Sequence, residues 1–423
     1  SSTRPRSTPP ACGSPGWTTR DPPPAGGRAH AAVPALTPEQ RRVLLVVFGV
    51  TITSIMGNSL LSPAIPDVLA EFDRPDSSAG LLVAAVAAPG VVVAPVIGLL
   101  ADRWGRRNVM VPCLAVFGAA GLFVAAAPTF GAMLAGRFAM GFGAAGLINL
   151  AVVLIGDHFP SDQRTHWLGR NSAVLTAGLA LMPVFSGLVT DAAGWRWALA
   201  PYGLAIVMAV VVWFVLDSQP PEIVPTVREQ ITGMRLALRD RSILVTLVGG
   251  GVAFAVMFGV FLATLPGHLE DGFDLSAGPR GIVIGLPALT STAAAFHLGR
   301  IHRRAPAGVL LIVSAAAWAV AFTMMGVASV LGLLIAGTLL YGAAEGVIIP
   351  TLQGTAIERA PAAQRAAVMA TWTGAARLGQ ACGPLLAAAI LAHAATTAVL
   401  LAGAAASAGL AVAFALSPLR RAE

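Results

Sequence analysis

Three ionisable residues, Arg137, Glu345 and Arg377, stand deep inside long uncharged runs. A charge at the middle of a bilayer is costly, so such a residue is usually kept for a function. Glu345 and Arg377 lie sixteen residues to either side of Pro361. If both arms are helical, the two side chains reach similar depth on neighbouring helices. They then form an ion pair, or Glu345 exchanges protons while Arg377 tunes its affinity for them; a purely structural pair suits the spacing equally well. Arg137 suits either a clamp on backbone carbonyls or a coupling role. Asp67, near the far end of the first apolar run, is a further proton-carrier candidate at interfacial depth. A different cluster, Asp102, Arg103, Arg106 and Arg107 around Gly105, ends an uncharged stretch that begins at Leu81. CxxC, HExxH, P-loop and nucleophile-elbow patterns are absent, so no enzyme chemistry, metal or cofactor is expected.

The elements that must position these residues follow from composition. Hydrophobic residues make up 56% of the 423-residue chain and charged residues 11%, about half the charged fraction of a soluble domain. Apolar runs of some twenty residues, at ~1.5 Å per helical residue, match the ~30 Å hydrocarbon layer. They show no two-residue alternation, which favours helices over a barrel. Twelve spans are predicted near 43–69, 78–101, 108–127, 131–156, 168–189, 197–216, 243–265, 280–299, 307–326, 328–352, 367–391 and 394–416. Residues 1–40 read as a disordered tail rich in Pro, Gly, Ser and Arg, with no signal-peptide core. Residues 218–241 form a polar linker between 41–217 and 242–417, and 418–423 close the chain.

All 27 basic residues are Arg. With the tail placed in the cytoplasm, twenty-two of them fall on the cytoplasmic side and only Arg74, Arg196 and Arg280 on the other. That asymmetry predicts a multi-pass protein of a bacterial plasma membrane with both termini inside. It also explains the net charge of +7 without nucleic acid as a partner. The bilayer itself is the expected partner, with the chain as a monomer.

A constant shift of 201 residues aligns the sequence with itself. Phe72, Asp73 and Gly80 fall on Phe273, Asp274 and Gly281; Gly141 falls on Gly342; Pro160, Gln163 and Arg164 fall on Pro361, Gln364 and Arg365; Gly178 and Pro183 fall on Gly379 and Pro384. Twelve spans are therefore two parallel six-helix bundles, a transporter plan that places the binding site between them at mid-depth.

GLLADRWGRR, with Gly98, Asp102, Arg103, Gly105, Arg106 and Arg107, resembles the signature that follows the second span in the major facilitator superfamily. The resemblance covers residues 41–417 and implies an all-α fold with alternating access. In that family the aspartate meets the N-terminus of span eleven and latches the outward-facing state. Gly105 permits the tight turn, and Gly98 lets a neighbouring helix approach. The second copy has Arg303 and Pro306 where Asp102 and Gly105 would stand, so a one-sided latch is expected. LAGRFAMGFGAA resembles the fourth-span motif, whose arginine, here Arg137, couples substrate and proton movement in the family. GLALMPVFSG resembles the fifth-span antiporter motif through Gly178, Pro183 and Gly187, with Met182 and Ser186 in place of glycines.

The family lines its cavity with spans 1, 4, 7 and 10. Here these carry Met56, Asn58, Phe138, Phe142, Asn149, Phe254, Met257, Phe258, Phe261 and Tyr341. An aromatic, Met-containing cavity suits amphipathic organic molecules better than sugars, which need many polar partners. The resemblance thus implies a secondary transporter that exports hydrophobic or amphipathic small molecules, drugs or natural products, in exchange for protons. An uptake symporter or facilitator of the same fold stays open. So does, from another class, a membrane sensor or enzyme, against which the duplication counts.

Overall fold

The computed structural model describes residues 36–217, 240–361 and 364–420. The expected tail up to residue 35, the linker over 218–239 and the final residues 421–423 lie outside the described residues. Twelve helices are long and apolar enough to cross a membrane: α1 Pro38–Glu71, α2 Asp76–Trp104, α3 Arg106–Ala125, α4 Phe130–His158, α5 His166–Ala193, α6 Trp195–Val215, α7 Arg241–Phe273, α8 Ala277–His302, α9 Ala307–Gly326, α10 Leu331–Arg359, α11 Ala367–Leu391 and α12 Thr396–Leu416. Each corresponds to one predicted span, with ends displaced by a few residues. The chain is an all-α, multi-pass membrane protein.

Two helices depart from regular geometry, each for a local reason. The first span is α-helical only to Ser59, followed by a 3-10 turn at Ser62–Ala64 and a short α-helix at Ile65–Glu71. Pro63 and Pro66 have no N–H to continue the ladder, which frees carbonyls for other donors. Within α7, residues Val256–Thr264 are π-helical, and the Thr264 hydroxyl donates to the Gly259 carbonyl at 2.9 Å. Between α2 and α3 the chain turns on Gly105 at φ 87°, a left-handed region that suits glycine, as its place in the motif predicts.

The repeat is legible in the packing. Gly80 of α2 lies against the Pro384 carbonyl of α11, and Gly281 of α8 lies against the Pro183 carbonyl of α5. The shift of 201 residues maps one pair onto the other, so the matched positions are those at which the halves touch. A Cβ at either glycine would fall on backbone, which explains the requirement there.

These contacts hold only one end of the interface. Gly98 is eighteen residues beyond Gly80, five helical turns along the same face of α2, yet nothing lies within 4 Å of its Cβ position. Gly299, eighteen residues beyond Gly281 on α8, is equally open. The halves therefore meet at the Arg-poor end and part at the end bearing Arg103, Arg106 and Arg107. The close approach expected at Gly98 is absent because its partner helix has swung away.

Candidate functional site

The cleft between the halves is walled by one stripe of α4. Phe138, Phe142, Ala145 and Asn149 recur at i, i+4, i+7 and i+11, which places them on one face. Phe138 is 46% exposed, Phe142 is 42% exposed, and Asn149 is exposed. The two rings meet edge to face at 5.4 Å. From the other half, the Arg377 guanidinium reaches the Ala145 carbonyl at 3.5 Å, so this stripe faces the partner bundle. Phe254 and Phe258 on α7 are half-buried, and Phe254 packs edge-on to Trp372 at 5.7 Å.

Other expected wall residues are placed elsewhere. Phe261 stacks on Tyr341 at 4.5 Å, and Tyr341 stacks in turn on Trp318 at 5.5 Å. Both belong to the core of the second half, where Tyr341 is 2% exposed. The reason is the π-helical stretch: its wider turn breaks the i, i+4, i+7 phase that would have kept Phe261 in line with Phe254 and Phe258. Met257 packs partly buried against the same core. Met56 is buried within α1, and Asn58 is a partner of Arg137 rather than free wall.

Arg137 is fully buried, and its role in this conformation is a clamp. Its Nε donates to the Leu82 carbonyl at 3.0 Å, and its two Nη atoms donate to the Gly57 carbonyl and to Asn58 Oδ1, each at 2.5 Å. The Tyr202 hydroxyl donates to the same Gly57 carbonyl at 3.0 Å. One guanidinium thus ties α4 to α1 and α2 just before the break at Pro63. The expected pair of Glu345 with Arg377 is not formed. Arg377 turns toward the other half, donating to Gln380 Oε1 at 3.1 Å and toward Ala145. Glu345 is half-buried on α10, one turn beyond Tyr341, and among the described residues its carboxylate has no hydrogen bond or ion pair. Equal distance from Pro361 gave similar depth but not direction.

At the Arg-rich end Asp102 pairs with Arg106, one turn away, and Arg106 also reaches Asp157 at 3.3 Å. Arg107 stacks over the Trp213 ring at 4.7 Å, and Arg103 is exposed. The contact expected between Asp102 and the N-terminus of span eleven is not made, since this end of the cleft is open. Among the described residues no hydrogen bond or ion pair joins the halves there.

The closed end carries contacts that sequence reasoning missed. Arg280 was assigned to the far surface; it is 1% exposed and bridges Asp67 of the first half at 2.5 Å and Glu270 of its own half at 3.1 Å. Asp67 is therefore a gate residue in this conformation, not a free carboxylate. The Ser62 hydroxyl donates to the Leu262 carbonyl at 2.8 Å. Asp191, at the end of α5, accepts from the Ser276 hydroxyl at 2.8 Å and from the Gly278 N–H at 2.9 Å. A carboxylate there satisfies an orphan donor of the first turn of α8 and faces the positive end of its dipole. The available signal was the scarcity of arginine on this face: one of only three, Arg280, stands among acidic residues from both halves. Pro183, Gly187 and Gly178 of the fifth-span motif pack here too, with Gly187 against Ala277 and Gly178 against Ile55.

The Major Facilitator Superfamily matches residues 47–313 and 281–423. The chain is 25% identical to the bacillibactin exporter of Bacillus subtilis over 61% of its own length and 66% of that protein. It is 27% identical to the class B tetracycline resistance protein of Escherichia coli, covering 81% of this chain and 87% of the relative. Against several further relatives it spans only about a third of their length. A crystallised bacterial homolog of the human lysosomal transporter Spinster, in an inward-facing conformation, superposes with a TM-score of 0.69 over 90% of this chain and 96% of that one, at 16% identity. The fold, the duplicated interface and the matched family together make the chain a member of the Major Facilitator Superfamily of membrane transporters.

Proposed function

We propose that this transporter exports hydrophobic or amphipathic small molecules from the cytoplasm of a bacterial cell in exchange for protons, by alternating access, as a monomer with both termini inside. The Arg-rich end is then cytoplasmic, and the conformation described above is inward-facing. The observation that carries the reading is the unpaired, half-buried carboxylate of Glu345 at mid-depth beside a cleft walled by Phe138, Phe142, Phe254 and Phe258. An ionisable residue inside a membrane span marks an ion or proton pathway. An aromatic wall with few polar groups accepts apolar bodies. The relatives named as an exporter and as a resistance protein support the outward direction. Arg137, fixed on carbonyls of α1 and α2, would transmit movement between these helices rather than carry the proton.

Inside-out vesicles with an acid interior give the test. Addition of an exported compound is expected to release protons from the vesicles. Glu345→Gln is expected to abolish that release while leaving the protein in the membrane. Unchanged proton coupling in Glu345→Gln would remove Glu345 as the carrier. Substrate uptake with no proton movement in the native protein would remove antiport.

A further inference from the structure

We infer that the cleft selects amphipathic organic anions, which place an acidic headgroup on Arg377 and an apolar or aromatic body along the Phe138–Phe142 stripe of α4. The inference rests on the export reading above and narrows its substrate. It is carried by a guanidinium at mid-depth that no carboxylate of the described residues pairs. Arg377 is the eleventh of the 25 residues of α11 and Ala145 the sixteenth of the 29 residues of α4, so the two meet near the centre of both. Two ionisable groups occupy this depth, the Arg377 guanidinium and the Glu345 carboxylate, the fifteenth of the 29 residues of α10; Arg137, eight residues before Ala145, lies about two turns nearer the closed end. Arg137 has no exposure, and the carbonyls and amide it binds belong to its own half.

Arg377 is different. It is only half-buried, and its recorded partners are two neutral oxygens, Gln380 Oε1 at 3.1 Å and the Ala145 carbonyl at 3.5 Å. A guanidinium presents five N–H donors in a planar fork. Donors therefore remain, on a group that faces the cleft. Among the described residues no carboxylate lies within ion-pair distance of it; the ion pairs recorded involve Arg106, Arg196 and Arg280.

Each class of cargo meets this arrangement differently. A lipophilic cation seated on the Phe138–Phe142 stripe faces the Arg377 charge, which repels it. A neutral molecule leaves the Arg377 charge unpaired when water is squeezed out, a costly state. A carboxylate or phenolate supplies the missing acceptor in the bidentate geometry that a guanidinium favours. The surroundings fit the rest of such a molecule. Ala145 is buried, and Phe142, three residues before, and Asn149, four residues after, are exposed on the same side of α4. A headgroup on Arg377 therefore sets its attached ring beside Phe142 and Phe138, with the Asn149 amide one turn away.

Three probes share one ring system and differ in charge: 1-naphthoate, 1-naphthylmethanol and 1-naphthylmethylammonium. Binding to the purified full chain is measured by titration calorimetry in an uncharged detergent, with no proton gradient. Naphthoate is expected to bind about tenfold more tightly than either of the others. Arg377→Gln should erase that order, Arg377→Lys should keep part of it, and Phe142→Ala should weaken all three without reordering them. A merely structural arginine would weaken all three alike. The inference is overturned if the ammonium probe binds as tightly as naphthoate, if naphthoate does not bind, or if Arg377→Gln preserves the order. A phosphate-headed lipid shares the headgroup chemistry; dodecyl phosphate binding more tightly than naphthoate would also overturn it. Should Arg377→Gln fail to fold, the order in the native chain and in Phe142→Ala still decides. Absence of the charge order in the native chain, with proton release intact in vesicles, rejects this inference alone, whereas the converse result rejects antiport alone.

Discussion

Arg137 shows how a residue's surroundings decide between two readings that its type leaves open. Its position in an apolar run announces a special role, but its partners are a carbonyl of α2, a carbonyl of α1 and an amide side chain, brought together only by folding. The Gly57 carbonyl lies just before the place where Pro63 and Pro66 interrupt the first span. Arg137→Met should strand these acceptors and lower stability by about 2 kcal/mol, well below three times the roughly 1.5–3 kcal/mol of one charged hydrogen bond, because bonds within membranes are worth less. Thermal unfolding in detergent is the measurement, and Arg137→Lys should recover little, since one ammonium cannot reach three acceptors. A melting temperature unchanged in Arg137→Met would show that the clamp contributes nothing. At this scale residue type was legible and direction was not. Glu345 and Arg377 lie in apolar helices, and the ion pair, one of the arrangements their spacing allows, is not formed in this conformation, because helical rotation is set by packing against neighbours, which one sequence does not display.

Helices were far more legible, since hydrophobic length and a repeated pattern of glycines and prolines survive without knowledge of partners. The shift that aligns Gly80 with Gly281 and Pro183 with Pro384 also names two of the contacts between the halves. No residue type signals the π-helical stretch at Val256–Thr264, or with it the burial of Phe261. The interface glycines yield an element-scale prediction. In Gly281→Val the new side chain falls on the Pro183 carbonyl, with backbone on both sides and no flexible group to move aside. The closed end should be forced apart while each bundle stays folded. Spin labels at Gly131 and Gly332 would read this: both sit at that end, one in each half, with no atom within 4 Å of either Cβ position. The label distance should lengthen in Gly281→Val. An unchanged distance would mean that the contact is soft enough to absorb a valine.

The whole molecule alternates only if something holds each end shut in turn. The family resemblance assigned one such device to Asp102, on the N-terminus of span eleven. Here that end is open and Asp102 is held by Arg106. The closed end uses the same chemistry on another helix, the Asp191 carboxylate on the first turn of α8, with the buried Arg280 bridging Asp67 and Glu270 beside it. If the two devices compete, removing one should favour the state held by the other. A carboxylate at a helix N-terminus is worth about 1 kcal/mol, a roughly fivefold shift between two states. In a background lacking Cys12, Cys113 and Cys382, Asp191→Ala should lengthen the Gly131–Gly332 label distance and shorten one measured between Gly156 and Gly354 at the Arg-rich end. Asp102→Asn should do neither, because it removes a contact that this state does not make. The double variant should fall back toward the native distribution, since both closures are weakened together. Opening of the Arg-poor end by Asp102→Asn, with Asp191→Ala silent, would reverse the assignment and leave the closure to the Gly80 and Gly281 contacts alone.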